Sequence, residues 1–244
     1  MRVGIINQYG GLGDIFFCYR IAESLLKHVD QVLWAVPPKY DFLNEYFINP
    51  KIKFVVESNK DNKYNLGENI IANESVFYLP VTYNTMSSDG FDMTQKYKSL
   101  PFELDWNTRY ETLQFKRNTK REERLVNEIG FEPSQDLTLL NMNFGTPPIH
   151  CSQHSQISIN ETKVLKLDYL GWDRIFDWLP FLLNCKNFYT VETAWTHIAD
   201  FFKVKNLIVY PRLDYSKGCA NKDLSYCKKY YNKEWNKTWK FIEE

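Results

Sequence analysis

Val3-Gly4-Ile5-Ile6-Asn7-Gln8-Tyr9-Gly10-Gly11-Leu12-Gly13-Asp14-Ile15-Phe16-Phe17 is the stretch that decides the fold. Val3–Asn7 has the composition of a short buried strand, and three glycines then crowd a turn. From about Ile15 to Val29 apolar residues recur at helical spacing, with Phe17, Ile21 and Leu25 on one face. Glycine in such a turn permits backbone angles and close approaches that a Cβ forbids. Asp14 stands at the helix start, where unpaired amides and the macrodipole favour a carboxylate. A ligand lying across the turn meets both amides and a fixed carboxylate; without a ligand, Asp14 is an ordinary helix cap.

Outward from that stretch, strands alternate with helices. Strands are predicted at Gln31–Val36, Ile52–Glu57 and Val76–Val81, with a short helix over Lys39–Phe47 and weaker helical character over Met93–Leu104. Lys116–Ile129 reads as a charged helix stopped by Gly130, and Phe131-Glu132-Pro133-Ser134 as a linker. The pattern then restarts, with strands at Leu137–Phe144, Lys163–Leu167, Phe188–Glu192 and Leu207–Tyr210. Helices are predicted at Trp172–Leu183, bent at Pro180, and at Thr193–Phe202. Such alternation predicts an α/β protein with parallel sheets. Two Rossmann-like halves facing across a cleft are the economical architecture, with the second half short. The expected division is 1–133, 134–215 and a helical aromatic and basic tail at 216–244.

Composition narrows the partners. Thirty basic and thirty acidic side chains balance among 244 residues, so no charge excess points to nucleic acid or an anionic membrane. The lysine- and aromatic-rich tail from Lys217 to Lys240 is the one region suited to peripheral membrane contact; its simpler reading is a docked, solvated helix. No stretch reaches the length of a membrane span, and Met1-Arg2 leads straight into a strand rather than a signal peptide. Five unpatterned cysteines fit a reducing compartment better than a disulfide framework, so a cytoplasmic location is expected.

The glycine-rich turn fits two familiar phosphate-binding patterns poorly. Gly13 is followed by Asp14-Ile15 rather than Lys-Ser/Thr, which excludes a Walker loop. Taking Gly11 and Gly13 as the first two dinucleotide-fingerprint glycines puts Phe16 at the third. Gly10-Gly11-Leu12-Gly13-Asp14 before an apolar helix instead resembles the amino-terminal motif of the ADP-heptose–lipopolysaccharide heptosyltransferase family. The resemblance implies the two-domain GT-B fold, and it implies that Asp14 is the base toward an acceptor hydroxyl.

A second motif supports it. Phe188-Tyr189-Thr190-Val191-Glu192-Thr193-Ala194-Trp195-Thr196-His197-Ile198-Ala199 resembles that family's carboxy-terminal signature, Asp-Thr-Gly followed by His and Ala. Glu192 takes the acid position, Thr193 is kept, Ala194 replaces the glycine, and His197 and Ala199 align. The resemblance implies that this turn holds the donor's phosphates and sugar, and a helix amino terminus suits a diphosphate physically. Ordinary helix capping by Glu192 and Thr193, and a packed or solvent-facing His197, are the alternative readings. Glu for Asp lengthens the acid by a methylene, and Ala for Gly narrows the approach to phosphate.

Arg212, just past a predicted strand end, is the best placed cation for a diphosphate, ahead of Lys163, Lys166 and Arg174. His150-Cys151-Ser152-Gln153-His154 lacks a fourth ligand and a paired spacing, so no metal site is expected there. The resulting expectation is an inverting, metal-independent glycosyltransferase without a cofactor, moving a sugar from a nucleotide-sugar donor to a glycan or glycolipid acceptor. Gly11 and Gly13 would line its phosphate and ligand side. Asp14→Asn is expected to abolish transfer and preserve the fold. A fucosyltransferase-like enzyme is the nearest alternative, opposed by Asp14-Ile15 where that motif has Asn-Gln. A non-catalytic sugar-nucleotide or carbohydrate-binding module is the other. Sugar recognition is expected from the loops Thr82–Asp92 and His150–Asn160.

Overall fold

The computed structural model describes residues 1–8, 11–56, 76–81, 93–98, 100–146, 149–152, 157, 159–214, 219–221 and 238–242. The chain divides into two compact units, Met1–Arg117 and Asn118–Glu244.

In the first unit β1 (Val3–Gln8), β2 (Gln31–Val36), β3 (Ile52–Val56) and β4 (Val76–Val81) form one parallel sheet in the order β3-β2-β1-β4. Parallel neighbours require a crossover, and α1 (Leu12–Leu25) supplies the first. Gly4 allows α1 to lie directly on β1: a Cβ there would stand 2.7 Å from Leu25 Cδ2 and 3.1 Å from Val29 Cγ2. The helix is buried well beyond the predicted stripe, including Phe16, Cys18, Tyr19 and Ser24. A helix apolar nearly all round is one covered on several sides. Phe16 meets Phe47 edge-on at 5.2 Å, Tyr19 stacks on Trp34 at 6.5 Å, and Phe17 meets Tyr97 edge-on at 5.6 Å. α1 ends four residues before the expected Val29, because the chain tightens to i→i+3 bonds: Lys27 N donates to Ser24 O and His28 N to Leu25 O.

The Lys39–Phe47 helix resolves into a 3₁₀ turn at Pro38–Tyr40 and the single turn α2 (Leu43–Tyr46). Helical character predicted over Met93–Leu104 survives only as α3 (Gln95–Lys98). Pro101 follows closely, and a 3₁₀ turn at Trp106–Thr108 starts anew under its own cap, Asn107 N donating to Asp105 Oδ1 at 2.9 Å.

The second unit begins earlier than expected. α4 (Thr119–Ile129), capped by Asn118 and ended by left-handed Gly130 at φ 70°, falls within the second unit rather than the first. Its Arg121 grips the buried Asp177, Nη2 at 2.8 Å from Oδ2 and Nε at 3.1 Å from both oxygens, and donates to Trp172 O at 2.9 Å. The division therefore falls at 117/118 rather than 133/134.

Five parallel strands make the second sheet: β5 (Thr138–Asn141), β8 (Val164–Lys166), β9 (Asn187–Val191), β10 (Leu207–Tyr210) and β13 (Lys240–Phe241), in the order β13-β10-β9-β5-β8. The second half is therefore not the short one. The strand expected over Leu137–Phe144 breaks after Asn141, and β6 (Asn143–Thr146) turns away to pair antiparallel with β7 (Ile149–Ser152). β11 (Arg212–Asp214) and β12 (Cys219–Asn221) form a second small antiparallel pair. Instead of one bent helix at Trp172–Leu183, a 3₁₀ turn at Ile175–Trp178 runs into α5 (Leu179–Asn184). Pro180 sits in the first turn of α5, where no amide is needed. α6 (Ala194–Phe201) follows β9. The separate tail expected at 216–244 is instead tied into this unit at its end. β13 joins the sheet beside β10, and the indole of buried Trp239 donates to Val204 O at 2.8 Å. Most of the predicted tail helix lies outside the described residues.

Candidate functional site: two turns at sheet switch points

Open parallel sheets bind ligands beyond the carboxyl ends of their strands, where the strand order reverses. In the first sheet the chain runs outward from β1 to β2 and β3, then returns to β4 on the other side of β1. The reversal lies between β1 and β4, whose ends Gln8 and Val81 are paired. In the second sheet it lies between β5 and β9, where Asn141 is in register with Thr190 and its Nδ2 donates to Thr190 Oγ1 at 2.9 Å. The glycine-rich turn leaves the first reversal and the Glu192-Thr193 turn leaves the second. Each motif singled out by sequence stands where the topology opens a crevice.

At the first, Asp14 is held from two sides. Gly11 N donates to Oδ2 at 2.7 Å, and Lys96 Nζ pairs with Oδ1. Asp14 is 17% exposed whereas the Lys96 side chain is 0% exposed, so the carboxylate reaches solvent across a buried cation. Lys96 is delivered by α3, pinned to α1 where Tyr97 Oη donates to Phe17 O at 2.5 Å. The Leu12 amide donates to Tyr40 Oη at 3.0 Å, and Lys39 Nζ lies 4.8 Å from the centre of the Tyr40 ring. One turn along α1, burial pushes the Cys18 thiol up to about 12 despite nearby Lys96, leaving it protonated and unreactive.

Gly11 behaves differently from its reading in sequence. Its backbone is extended (φ −87°, ψ −173°), and a Cβ would lie 3.7 Å from Tyr40 Oη and 3.8 Å from Asp14 Oδ2, ordinary contact distances. The fold itself does not demand glycine there. Gly13 is the second residue of α1. Tyr9 and Gly10 lie outside the described residues, as does the loop at 82–92.

At the second reversal, Thr193 caps α6: its Oγ1 accepts from Trp195 N at 3.3 Å, and its carbonyl accepts from Thr196 Oγ1 at 2.7 Å. Glu192 is buried and its amide donates to Tyr210 O at 2.9 Å. Ala194 opens the helix, half-buried. His197, one turn on, is buried at 5% exposure and packed rather than displayed. Arg212 begins β11 directly after Pro211, with its side chain outside the described residues. The other cations are otherwise engaged, Lys163 with Ser134 and Asp136, Lys166 with Asp168. The Arg174 amide donates to Asp177 Oδ2 at 2.9 Å, within the 3₁₀ cap.

Lys96 is the residue that sequence reasoning missed. It lies 82 positions from Asp14 in a weakly helical, lysine-containing stretch, so no local pattern marks it. Among the described residues no cluster of three or more His, Cys, Asp or Glu could hold a metal, and no helix is long and apolar enough to cross a membrane.

No protein-family model and no curated protein matches the chain. Solved structures do match it in fold. A glycosyl transferase of family 9 from Veillonella parvula aligns over 100% of this chain and 86% of its own, with TM-score 0.53 and 12% identity. The ADP-heptose LPS heptosyltransferase II of E. coli aligns over 99% and 90%, with TM-score 0.53 and 9% identity. The chain thus resembles these heptosyltransferase-like proteins in fold.

Proposed function

We propose that this protein is a GT-B-type glycosyltransferase that moves a sugar from a nucleotide-sugar donor to an acceptor hydroxyl, with Asp14 as the base. The observation that carries the reading is the carboxylate at the first switch point, clamped by the Gly11 amide and the buried Lys96 yet open to solvent. A carboxylate keeps acceptor capacity on both oxygens after one bond to each, so Asp14 can take a proton from an attacking hydroxyl. Attack in line on the anomeric carbon inverts its configuration. Within the second unit, the amino terminus of α6 with Thr193, Glu192, Ala194 and Arg212 is assigned to the donor's diphosphate, and no metal is required. Gly11 serves the ligand, since the protein leaves room for a Cβ there. The acceptor is a glycan or glycolipid, and the enzyme acts in glycan synthesis in the cytoplasm. A non-catalytic sugar-nucleotide module of the same fold is the competing reading, favoured by the burial of His197.

A thermal-shift panel of UDP-, GDP-, ADP-, CMP- and dTDP-sugars, with and without EDTA, tests the proposal. Stabilisation by one nucleotide class, unchanged by EDTA and accompanied by slow release of nucleoside diphosphate, is the expected result. Binding without any release favours the module, and no binding at all removes the donor assignment.

A further inference from the structure

Gln8 closes β1 at the first switch point, and its side chain is 4% exposed. Among the described residues, neither Nε2 nor Oε1 of its carboxamide has a hydrogen-bond partner. A buried amide left unpaired is costly, so a chain retains one where something else completes it.

The position of Gln8 says what that is. Side chains alternate along a strand, so Gln8 shares a face with Gly4 and Ile6. Gly4 lies under Leu25 and Val29, which makes this the face that α1 covers. Running back from Leu25, α1 rises about 16 Å to Asp14, while β1 rises about 13 Å from Gly4 to Gln8. Gln8 therefore stands level with the first turn of α1, the turn that carries Asp14.

We propose that the Gln8 carboxamide is a subsite for neutral sugar hydroxyls on the acceptor. The proposal rests on the transferase reading and adds the acceptor's chemistry. Both halves of the amide are vacant, one donating and one accepting. A hydroxyl pair satisfies both, because each hydroxyl donates and accepts. A phosphate or carboxylate satisfies Nε2 and leaves Oε1 orphaned. The charges of the adjoining turn, Asp14 and Lys96, are paired with each other. The acceptor group seated here is accordingly an uncharged diol of a sugar ring, one hydroxyl on Gln8 and its neighbour toward Asp14.

The test compares the wild-type protein with Gln8→Met, close in shape and without the amide. Saturation-transfer NMR with methyl glycosides of glucose, galactose, mannose, fucose and N-acetylglucosamine should show binding to the wild type, weakened at least tenfold in the variant. The melting temperature of Gln8→Met should rise by a few degrees, since an unpaired buried amide is removed. A fall instead means that Gln8 is satisfied within the protein and overturns the proposal. So does glycoside binding that survives the substitution, a wild type that binds no glycoside, or competition by inorganic phosphate. Glycoside binding lost in Gln8→Met without any nucleotide-sugar turnover in the wild type would remove the transferase reading and leave the subsite standing.

Discussion

Two ion pairs among the described residues each enclose one charge, and they differ in which charge is left open. Arg121 and Asp177 hold α4 against the Ile175–Trp178 turn, and there the carboxylate is fully enclosed, with Arg121 25% exposed. Lys96 and Asp14 hold α3 against α1, and there the cation is fully enclosed while the carboxylate is 17% exposed. The first arrangement is a fastener. The second presents a fixed carboxylate at a sheet's reversal point, where a ligand can reach it. Buried ion pairs contribute little net stability but are costly to break on one side only.

That difference can be broken experimentally. Lys96→Met leaves Asp14 without its cation and should lower stability by about 3–5 kcal/mol and also suppress nucleoside diphosphate release. Arg121→Met should lower stability by about 3 kcal/mol and leave turnover of the folded fraction unchanged. Denaturant melts and single-condition rate assays separate the two, and equal effects on turnover would erase the distinction. By the same physics Asp14→Asn, which replaces the carboxylate facing a fully enclosed ammonium by a neutral amide, should lower the melting temperature.

Smaller effects sharpen the comparison between the two turns. Thr193→Ala removes the cap of α6 and should cost about 0.5–1 kcal/mol, read as a lower melting temperature. Gly11→Ala should change stability by less than about 0.5 kcal/mol, since its Cβ has room, while abolishing ligand-induced thermal shifts. A Gly11→Ala protein that still binds ligand would show the turn to be passive.

The Cys18 thiol gives a pH-dependent check on the packing beside Asp14. It stays protonated in the native state up to about 12, against 9.0 for a free thiol. Its contribution to stability is whole below pH 9 and is lost as pH rises toward 12. Peptide-level alkylation at pH 8 should leave Cys18 unmodified until the protein unfolds. Modification of the native protein would mean that this region opens.

Local pattern carried much of the fold. Gln31–Val36, Val76–Val81 and Leu207–Tyr210 are strands at the residues read from sequence, because buried parallel strands write themselves as continuous apolar runs. Both turn motifs were legible for the same reason, as glycine and capping chemistry is local. Long-range pairing was not. The allegiance of α4 is set by Asp177, 56 residues from Arg121, and the partner of Asp14 lies 82 residues away. Lys240–Phe241 is too short to announce a strand, and only its register with Ile208 and Val209 makes it one.

The central claim is that Asp14 at the first switch point is the base of a sugar-transfer site. Asp14→Asn combined with Lys96→Met tests it most directly, since removing both charges spares the fold the stranded ion. Nucleoside diphosphate release should be followed for the wild type and this double variant across the nucleotide-sugar panel, with melting temperatures recorded beside the rates. The account predicts a folded double variant that binds the donor and turns it over at least about a hundredfold more slowly. A double variant as active as the wild type would contradict it.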